Sequence, residues 1–528
     1  MLKSLDIVVI IGYVVILLFI GYITGKDSES SDDFFVASRK MTWIPVALSI
    51  AATTISANGF IGGPGWSYSA GLFPFMINIA VPFACFFTIW IVAPIIYHLK
   101  VISVYEYLEL RFGSKTKLLL VLHFFINSII QVSSMVFIPS LFLVIITGWS
   151  LKVIVPIIVL CAIIYTAMGG IKAVIWTDVF QMIVVWGSIL MIIYIAFSNL
   201  DMSFSTFFNS AKEFGKFDAI DFSMNVENNN SFWGTFLGGS ILWIRYFAFD
   251  QTQIQRILTA KSLKTVKRSL LSSSIIMNVV YFLMLFIGVL LFFFYQGKIF
   301  NKPNEIMINF ILEEIPSGFL GITIAGIFAS VMSSVDSILN SMTTIFIKDI
   351  YEVYFKKDSK STPKILPMLT SVIFGVMIIF FVIIGFGNSV RSVLDTVGAY
   401  ISYLVGPACA IFILGFFFKK IDDNGASFGL IFGLILGFTI TKFINIGWIW
   451  NPLFGFIFTF IGAHIYNFFF KSNTESKERY TFYGINQSIK ESSSLEEEGI
   501  SLLPGKLDIY TILTFSFFIL QYIILLVI

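Results

Sequence analysis

The sequence predicts an all-α polytopic membrane protein. Hydrophobic residues make up 57% of the 528 residues and charged residues only 12%, about half the charged share of soluble domains. The mean hydropathy of +0.90 is that of a chain lying mostly in lipid. A helix needs about 20 apolar residues to cross the hydrocarbon core, and 14 such stretches are predicted. They are 5–24, 44–70, 72–98, 117–147, 151–170, 173–198, 232–252, 270–295, 318–350, 364–386, 390–418, 426–444, 447–470 and 508–528.

The composition argues against several other classes of protein. The net charge of +3 leaves no polybasic surface for nucleic acid. The cysteines Cys85, Cys161 and Cys409 each lie inside an apolar run and are read as packing residues. The histidines have no metal-site spacing with cysteines or carboxylates. The first apolar stretch lacks a small-residue cleavage site, so we expect a retained span and not a signal peptide.

Basic residues in the connections predict which side of the membrane each connection faces. Lys and Arg are concentrated in the cytoplasmic loops of membrane proteins. If the N-terminus lies outside, most of the 34 basic residues fall in cytoplasmic connections, with clusters at 256–268, 348–364 and 471–506. An acidic, Asn-rich loop at 199–231 then lies outside. With an even number of spans we expect both termini outside, and a cytoplasmic linker with short helical pieces at 471–507.

The second apolar stretch contains an unusual run of polar residues. It reads AATTISANGFIGGPG over 51–65, where hydroxyl and amide side chains precede glycines and a proline. Pro lacks the N–H donor and Gly weakens a helix, so this pattern predicts an unwound or kinked segment near mid-membrane. Unwinding frees backbone carbonyls that can bind a sodium ion or a polar solute. A packing kink without any ligand is the alternative.

Small hydroxyl residues line one face of the ninth apolar stretch. Its segment ASVMSSVDSILNS, at 329–341, repeats serine at helical spacing, flanked by Asp336 and Asn340. Such a stripe either lets helices pack closely or supplies the several oxygen ligands that a hard cation needs. Asp178 lies near the start of the sixth stretch. It is either a helix-start carboxylate favoured by the macrodipole or an interior ion ligand or proton site.

Arg245 is a basic residue deep within the seventh apolar stretch. A charge inside a span costs about 2.5–3.5 kcal/mol on insertion scales, so it needs a partner. Pairing with Asp178 or Asp336 is the preferred expectation, with snorkelling or contact with a substrate carboxylate as alternatives. The two aspartates could also indicate a membrane-embedded enzyme, but no nucleophile and base accompany them.

Five segments together resemble the sodium:solute symporter family. In order they are AATTISANGFIGGPG, VYEYLELRFG at 104–113, GGIKAVIWTDVFQ at 169–181, DQTQIQRILTAKS at 250–262 and ASVMSSVDSILNS. The resemblance implies a LeuT-type fold with two inverted five-helix repeats. Each repeat would start with a discontinuous helix, and the solute would bind between the repeats near the midplane. For the second repeat, Gly238 and Gly239 are the predicted weak point.

The resemblance also implies a division of the chain into four parts. These are an extra N-terminal helix and cytoplasmic loop at 1–43, the first repeat at 44–198, the second repeat at 232–418, and three C-terminal helices with the linker at 419–528. The solute pathway would then lie between the second and third parts.

Matching the family's ion ligands residue by residue places them in this sequence. The main sodium site would use the backbone carbonyls of Ala52, Ile55 and Ser330 and the hydroxyls of Ser333 and Ser334. Some family members bind a second sodium ion beside the carboxylate that matches Asp178, and the resemblance allows a second ion here. The solute site would draw on Thr54, Ser56, Asn58, Gly59, Asn78, Tyr246 and Phe247.

The resemblance implies sodium-coupled uptake of a small polar organic solute by alternating access. Proline symporters have Asp where this chain has Thr54, and sugar carriers have Glu-Gln in place of Asn58-Gly59. FIGGPG resembles pantothenate symporters. VYEYLELRFG and KAVIWTDVFQ resemble the branch that carries monocarboxylates, vitamins, iodide and sialic acid. We therefore expect an organic anion such as a monocarboxylate, sialic acid or a vitamin-like acid, although the Arg in the fourth span of sialic acid carriers is missing here.

Three alternatives remain open at the level of the sequence. They are a sodium/sugar symporter of the same fold, a proton-coupled carrier that uses Asp178, and a symporter-like membrane sensor. A sensor needs an output domain, whereas this sequence ends with an apolar stretch. We expect no enzymatic activity, no cofactor besides the coupling sodium ion, and a functional monomer in the plasma or inner membrane.

Overall fold

The computed structural model describes residues 2–26, 31–356, 363, 365–385, 393–444, 446–470, 475–492 and 495–527, and most of them are helical. The first helices are α1 (Ser4–Lys26), α2 (Ser31–Val36), α3 (Trp43–Thr54), α4 (Ala57–Ala70), α5 (Met76–Ile79), α6 (Val81–Phe87), α7 (Ala93–Leu99), α8 (Val104–Arg111), α9 (Ser114–Thr147) and α10 (Leu151–Ser198). The helices that follow are α11 (Phe204–Glu213), α12 (Phe232–Gly234), α13 (Ser240–Phe249), α14 (Gln251–Thr259), α15 (Leu263–Phe294), α16 (Pro303–Glu314), α17 (Phe319–Ile345), α18 (Ile365–Gly385), α19 (Val393–Phe417), α20 (Asp423–Phe443), α21 (Asn451–Phe469), α22 (Phe482–Glu491) and α23 (Ile509–Val527).

Shorter helical segments and one hairpin complete the described secondary structure. The 3₁₀ segments are Ala37–Arg39, Phe73–Phe75, Trp448–Trp450 and Glu475–Tyr480. The π-helical segments are Thr88–Val92, Thr235–Gly239 and Phe346–Phe355. Strands β1 (Glu496–Glu497) and β2 (Ile500–Ser501) pair antiparallel.

The number of candidate membrane-spanning helices can be counted in the described residues. Within the described residues, 10 helices are long and apolar enough to cross a membrane, or 11 if the bent pair α3–α4 counts as one span. The predicted count of 14 is not confirmed. The predicted span 232–252 is divided among shorter helical segments, and the start of the predicted span 390–418 lies outside the described residues.

One element, α10, contains two of the predicted spans. It has 48 residues, which at 1.5 Å per residue is about 72 Å, more than twice the hydrocarbon thickness. Gly170 inside it has a non-helical backbone (φ 55°, ψ −147°), so two helices meet there at a kink. The predicted spans 151–170 and 173–198 lie on either side of this kink.

The predicted break in the second apolar stretch is present. Helices α3 and α4 meet at an angle of 59°, joined by Ile55 and Ser56 in extended conformation. The hydroxyls of Thr53 and Thr54 donate to main-chain carbonyls one turn earlier, at 2.9 and 2.8 Å, a bond that favours bending. The break precedes the glycines, and Pro64 lies inside the continuous helix α4.

The second discontinuous helix breaks at a different position from the predicted one. Gly238 and Gly239 lie in a π-helical segment, where the chain stays helical. The break is at Asp250 (φ −92°, ψ 129°), whose carboxylate accepts the N–H of Thr252 at 2.9 Å and caps α14. Glycine at 238 serves packing, because a Cβ there would lie 1.9 Å from the carbonyl oxygen of Ile449.

Helix α17 lies at the centre of the bundle. Nearly all of its side chains are buried, and it packs against α1, α3, α9, α10 and α18. The polar residues of the ninth apolar stretch therefore face other helices and not lipid. Inside a membrane protein such groups need partners from the protein or a bound ligand.

The three C-terminal helices pack on two different parts of the bundle. Helices α20 and α21 pack against each other and against α19, whereas α23 packs against α6 and α15. Lys267 of α15, which is fully buried, pairs with Asp508 just before α23 at 2.5 Å. The linker before α23 also contacts the bundle, since the Gly505 N–H donates to the carbonyl of Trp90 at 2.9 Å.

Candidate ion and solute site

The C-terminal end of α3 meets the serine face of α17. The Ser333 hydroxyl donates to the carbonyl of Ala52 at 3.1 Å, and the Ser334 hydroxyl lies 3.4 Å from the carbonyl of Thr53. Both hydroxyls are also near the Ser330 carbonyl, at 3.4 and 3.3 Å. These residues are all buried. Four of the five residues predicted for the main sodium site are therefore neighbours.

A narrow cleft lies beside this contact, between α3, α10 and α17. Its lining residues are Ala52, Ile55, Gln181, Met182, Val185 and Ser333. Ile55, the fifth predicted residue, thus borders the same space. The last carbonyls of a helix have no partner within that helix, and hydroxyls and carbonyls are the oxygen ligands that hard cations bind. Oxygen atoms of the types that a sodium ion binds are therefore present beside this cleft.

Asp178 lies next to this contact in a buried ion pair with Arg256. The guanidinium Nη2 is 3.0 Å from Asp178 Oδ2, and both side chains have an exposed fraction of 0%. The hydroxyl of Ser49 donates to the same carboxylate oxygen at 2.5 Å and accepts from Arg256 Nε at 2.7 Å. These three side chains connect α3, α10 and α14.

A second buried carboxylate, Asp336, belongs to the same network. The Tyr165 hydroxyl donates to Asp336 Oδ2 at 2.7 Å, and the Ser337 hydroxyl lies 3.0 Å from Asp336 Oδ1. Ser337 also accepts from the guanidinium of Arg256. Arg256 thus contacts Asp178 directly and is linked to Asp336 through the Ser337 hydroxyl.

Two buried oxygens of α10 are unsatisfied beside this network. Asp178 Oδ1 and Gln181 Oε1 have no hydrogen-bond partner among the described residues. They lie about one helical turn apart, and Gln181 also lines the cleft. A buried oxygen without a hydrogen-bond partner destabilises the folded state. Binding of a cation, or of a group with a hydrogen-bond donor, would therefore be favourable at this position.

The prediction that Arg245 pairs with Asp178 or Asp336 is wrong. Arg245 forms its ion pair with Asp250, five residues later at the break between α13 and α14. Because the break turns the chain at Asp250, that carboxylate can reach back to α13. Asp178 is neutralised instead by Arg256.

Several predicted solute-site residues lie together where the two broken helices approach each other. Thr54, Ser56, Asn58 and Gly59 flank the break between α3 and α4, and Tyr246 of α13 lies beside Thr54.

The two other predicted solute-site residues lie elsewhere on α13 and α5. Phe247 is fully buried and packs against the rings of Trp243 and Tyr246. Asn78 lies on α5 next to Ile77, whose carbonyl accepts from the Trp243 indole at 2.7 Å.

Sequence reasoning missed four residues that the structure adds to this region. Arg256 falls in a basic cluster interpreted as a cytoplasmic connection, yet it is fully buried in α14. Its signal is in DQTQIQRILTAKS, where Ile254, Ile257 and Leu258 recur at helical spacing among polar residues. Gln181 follows Asp178 by three residues and so shares its helix face. Gln253 and Tyr281 contact Thr54; Gln253 belongs to the same motif, whereas Tyr281 has no distinctive sequence pattern.

Comparison with known proteins identifies similar sequences. The sequence matches the sodium:solute symporter family over residues 34–433. It is 30% identical to the human sodium-coupled monocarboxylate transporter 1 over 84% of this chain and 73% of that protein. It is 29% identical to the sodium/sialic acid symporter SiaT of Proteus mirabilis over 81% of this chain and 87% of that protein.

Two solved transporter structures have a fold similar to that of this chain. A Na⁺-coupled sialic acid symporter in a substrate-bound outward-open state superposes with a TM-score of 0.82 and 25% identity, over 89% of this chain and 99% of that chain. The nucleobase-cation symporter Mhp1 in a closed conformation shares the fold, with a TM-score of 0.55 and 14% identity over 85% of this chain and 97% of that chain. This multi-pass membrane protein is therefore a member of the sodium:solute symporter family.

Proposed function

We propose that the protein couples the inward movement of sodium to the uptake of a small polar organic solute. The observation that carries this proposal is the meeting of the broken end of α3 with α17, where Ser333 lies 3.1 Å from the Ala52 carbonyl. Sodium would bind the carbonyls of Ala52, Ile55 and Ser330 and the hydroxyls of Ser333 and Ser334. It would thereby hold α3 against α17.

Coupling in this proposal is a population shift. Sodium must bind one conformer better than the other, and only that difference can bias the solute site. The two repeats proposed at 44–198 and 232–418 would rock against each other. A broken helix near the start of each, α3–α4 and α13–α14, supports this division.

We further propose a second sodium site at Asp178. The unpartnered Asp178 Oδ1 and Gln181 Oε1 support it, because a cation there would satisfy two buried oxygens. Asp336 and Asp178 are two carboxylates near one guanidinium, so a second positive charge would also balance the network.

For the solute, the similar monocarboxylate, multivitamin and sialic acid transporters favour a small organic acid. A sugar is the alternative within the same fold, and a membrane sensor the alternative from another class. The proposed carrier acts as a monomer in the plasma or inner membrane, without enzymatic activity, and has both termini outside.

The test is sodium-driven uptake by proteoliposomes loaded with purified protein. A panel of monocarboxylates, sialic acid, biotin, pantothenate and sugars is offered with and without an inward sodium gradient. Ser333→Ala and Ser334→Ala are expected to raise the half-saturating sodium concentration by about tenfold or more, since each removes a proposed ligand.

Thr323→Val is the matched control for these variants. Thr323 is a buried hydroxyl on the same helix whose hydrogen bond goes to its own helix at 3.0 Å, so its removal should leave the sodium dependence unchanged. Uptake that does not depend on sodium, or serine variants with the parent's sodium dependence, would contradict the proposed coupling.

A further inference from the structure

Gln253 is a buried glutamine at the start of α14, with an exposed fraction of 0%. Its Nε2 lies 3.3 Å from the Thr54 hydroxyl oxygen. That hydroxyl gives its single proton to the Ile50 carbonyl at 2.8 Å, so it can only accept from Gln253. This fixes the orientation of the amide. The other amide atom, Oε1, has no hydrogen-bond partner among the described residues.

A second unsatisfied acceptor lies across the same region. The side-chain oxygen of Asn58, in the first turn of α4, also lacks a partner in the described part of the chain. Next to the first break, Tyr281 of α15 donates its hydroxyl to the Thr54 carbonyl at 3.2 Å. A Cβ on Gly59 would lie 3.2 Å from the Tyr281 ring. The two acceptors therefore belong to a closely packed polar region at both helix breaks.

The cationic side chains near this region are already paired. Arg245 contacts Asp250 and Arg256 contacts Asp178, each as a buried ion pair. Among the described side chains named at the breaks, the polar groups outside these ion pairs are amide and hydroxyl groups. Two of them, on Gln253 and Asn58, can only accept a hydrogen bond through their free oxygens.

We propose that Gln253 and Asn58 select a solute that presents hydrogen-bond donors, either hydroxyl or N–H groups, to both broken helices. This inference rests on the proposed function and names the chemistry of its solute. An acid with two hydroxyl or N–H groups can satisfy both acceptors and an acid with one such group can satisfy one of them, whereas a keto acid or a simple carboxylate offers only acceptors and leaves both unpaired. Sites built to bind a hydroxyl reject analogues that lack it.

The test measures the melting temperature of purified protein in sodium with four probes. Lactate and N-acetylneuraminate carry hydroxyl donors, whereas pyruvate and acetate carry only acceptors. Lactate and pyruvate are a matched pair that differs in the hydroxyl. We expect stabilisation by at least one donor-bearing probe, at a concentration at least about tenfold below that needed for pyruvate or acetate. Gln253→Leu is expected to abolish that preference.

Gln521→Leu is the matched control. Gln521 is also buried with an unpartnered Oε1, but it lies on α23, away from the helix breaks, so its loss should keep the preference. Equal or stronger stabilisation by pyruvate or acetate would overturn the inference. It would also fail if no donor-bearing probe stabilised the protein, or if Gln253→Leu kept the parent's preference.

The same measurement separates this inference from the proposed function. Sodium alone, compared with potassium, should raise the melting temperature if the ion sites exist. If sodium raises the melting temperature but the donor-bearing probes are not preferred, only the inference about the solute is wrong. If sodium does not change the melting temperature, the coupling proposal is wrong as well.

Discussion

At the scale of single residues, Arg256 is the side chain on which the ion-site network depends. It contacts Asp178, Ser49 and Ser337 and also donates to the Thr252 carbonyl at 2.6 Å. A guanidinium has several donors in a fixed plane, which allows one side chain to hold three helices in register. Such a buried charge is tolerated only with its partners in place.

Breaking this ion pair is expected to destabilise the protein strongly. Asp178→Asn leaves Arg256 buried without a countercharge, at a cost of about 3–5 kcal/mol, measured as a fall in melting temperature in detergent. The double variant Asp178→Asn with Arg256→Gln removes both charges and should recover most of that loss. Its uptake should nevertheless depend less on sodium than that of the parent protein. A stable single variant, or a double variant with parental sodium dependence, would contradict this assignment.

Four of the residues predicted for the main ion site are neighbours in the structure, and their role as sodium ligands stays a prediction. The carbonyl and hydroxyl set at Ala52, Ser330, Ser333 and Ser334 follows from family motifs, and the structure places these residues in contact. The partner of Arg245 could not be predicted, because it depends on where α13 ends. An ion pair five residues away is not within reach along a continuous helix.

At the scale of elements, a glycine in the π-helical segment before α13 sets how closely that segment packs. Gly238→Ala would place a Cβ 1.9 Å from the Ile449 carbonyl oxygen, whereas a Cβ at the adjacent Gly239 would have no neighbour closer than 3.8 Å. We expect Gly238→Ala to cost about 1–3 kcal/mol or to prevent folding. Gly239→Ala should be tolerated. The readout is the monodisperse peak in size-exclusion chromatography, and equal behaviour of the two variants would be inconsistent with this packing.

The ion pair that attaches α23 to α15 gives a second prediction at this scale. Burial alone would raise the pKa of Asp508, but hydrogen bonds from Lys267 and Thr511 and the lysine charge hold the pKa below its ordinary value. The stabilisation is therefore present above the unfolded pKa of about 3.9 and is lost as the pH falls through the lower folded pKa. Asp508→Asn should lower the free energy of unfolding at pH 7 by about 3 kcal/mol, because Lys267 stays buried and unpaired. This loss is measured as a fall in melting temperature.

Melting curves of parent and Asp508→Asn between pH 3 and 7 check this prediction. Their difference should shrink below about pH 4. Glu478→Gln is the control, because the Glu478–Lys419 pair is 3.3 Å apart with side chains 40% and 47% exposed, and such surface pairs contribute little. A constant difference across this pH range would be evidence against the ion pair.

The break between α3 and α4 was predicted from its polar and Gly/Pro-rich sequence, although it lies at Ile55 and Ser56 before the glycines, but the break at Asp250 was not predicted. No glycine or proline marks it; the aspartate caps α14 and pairs with Arg245. Asp is a common helix N-cap, yet in an apolar stretch it is equally well read as an interior charge. Only the three-dimensional arrangement distinguishes these roles.

At the scale of the whole molecule, the membrane orientation is open to a direct test. In a variant without native cysteines, Met224→Cys in the 199–231 loop should react with a membrane-impermeant maleimide on intact cells. Lys490→Cys on α22 should react only after permeabilisation. Met224 is 70% exposed, and Lys490 is also exposed, so both sites are accessible from their own side. The opposite pattern would reverse the proposed topology.

The packing of the last three helices on two different parts of the bundle has a practical consequence. Helix α21 packs through α20 and α19, while α23 packs on α6 and α15. If these parts of the bundle rock against each other, fluorophores attached to α21 and α23 change their separation once per turnover. Energy transfer between such dyes in single molecules would then report the opening and closing of the carrier without a label near the permeation path.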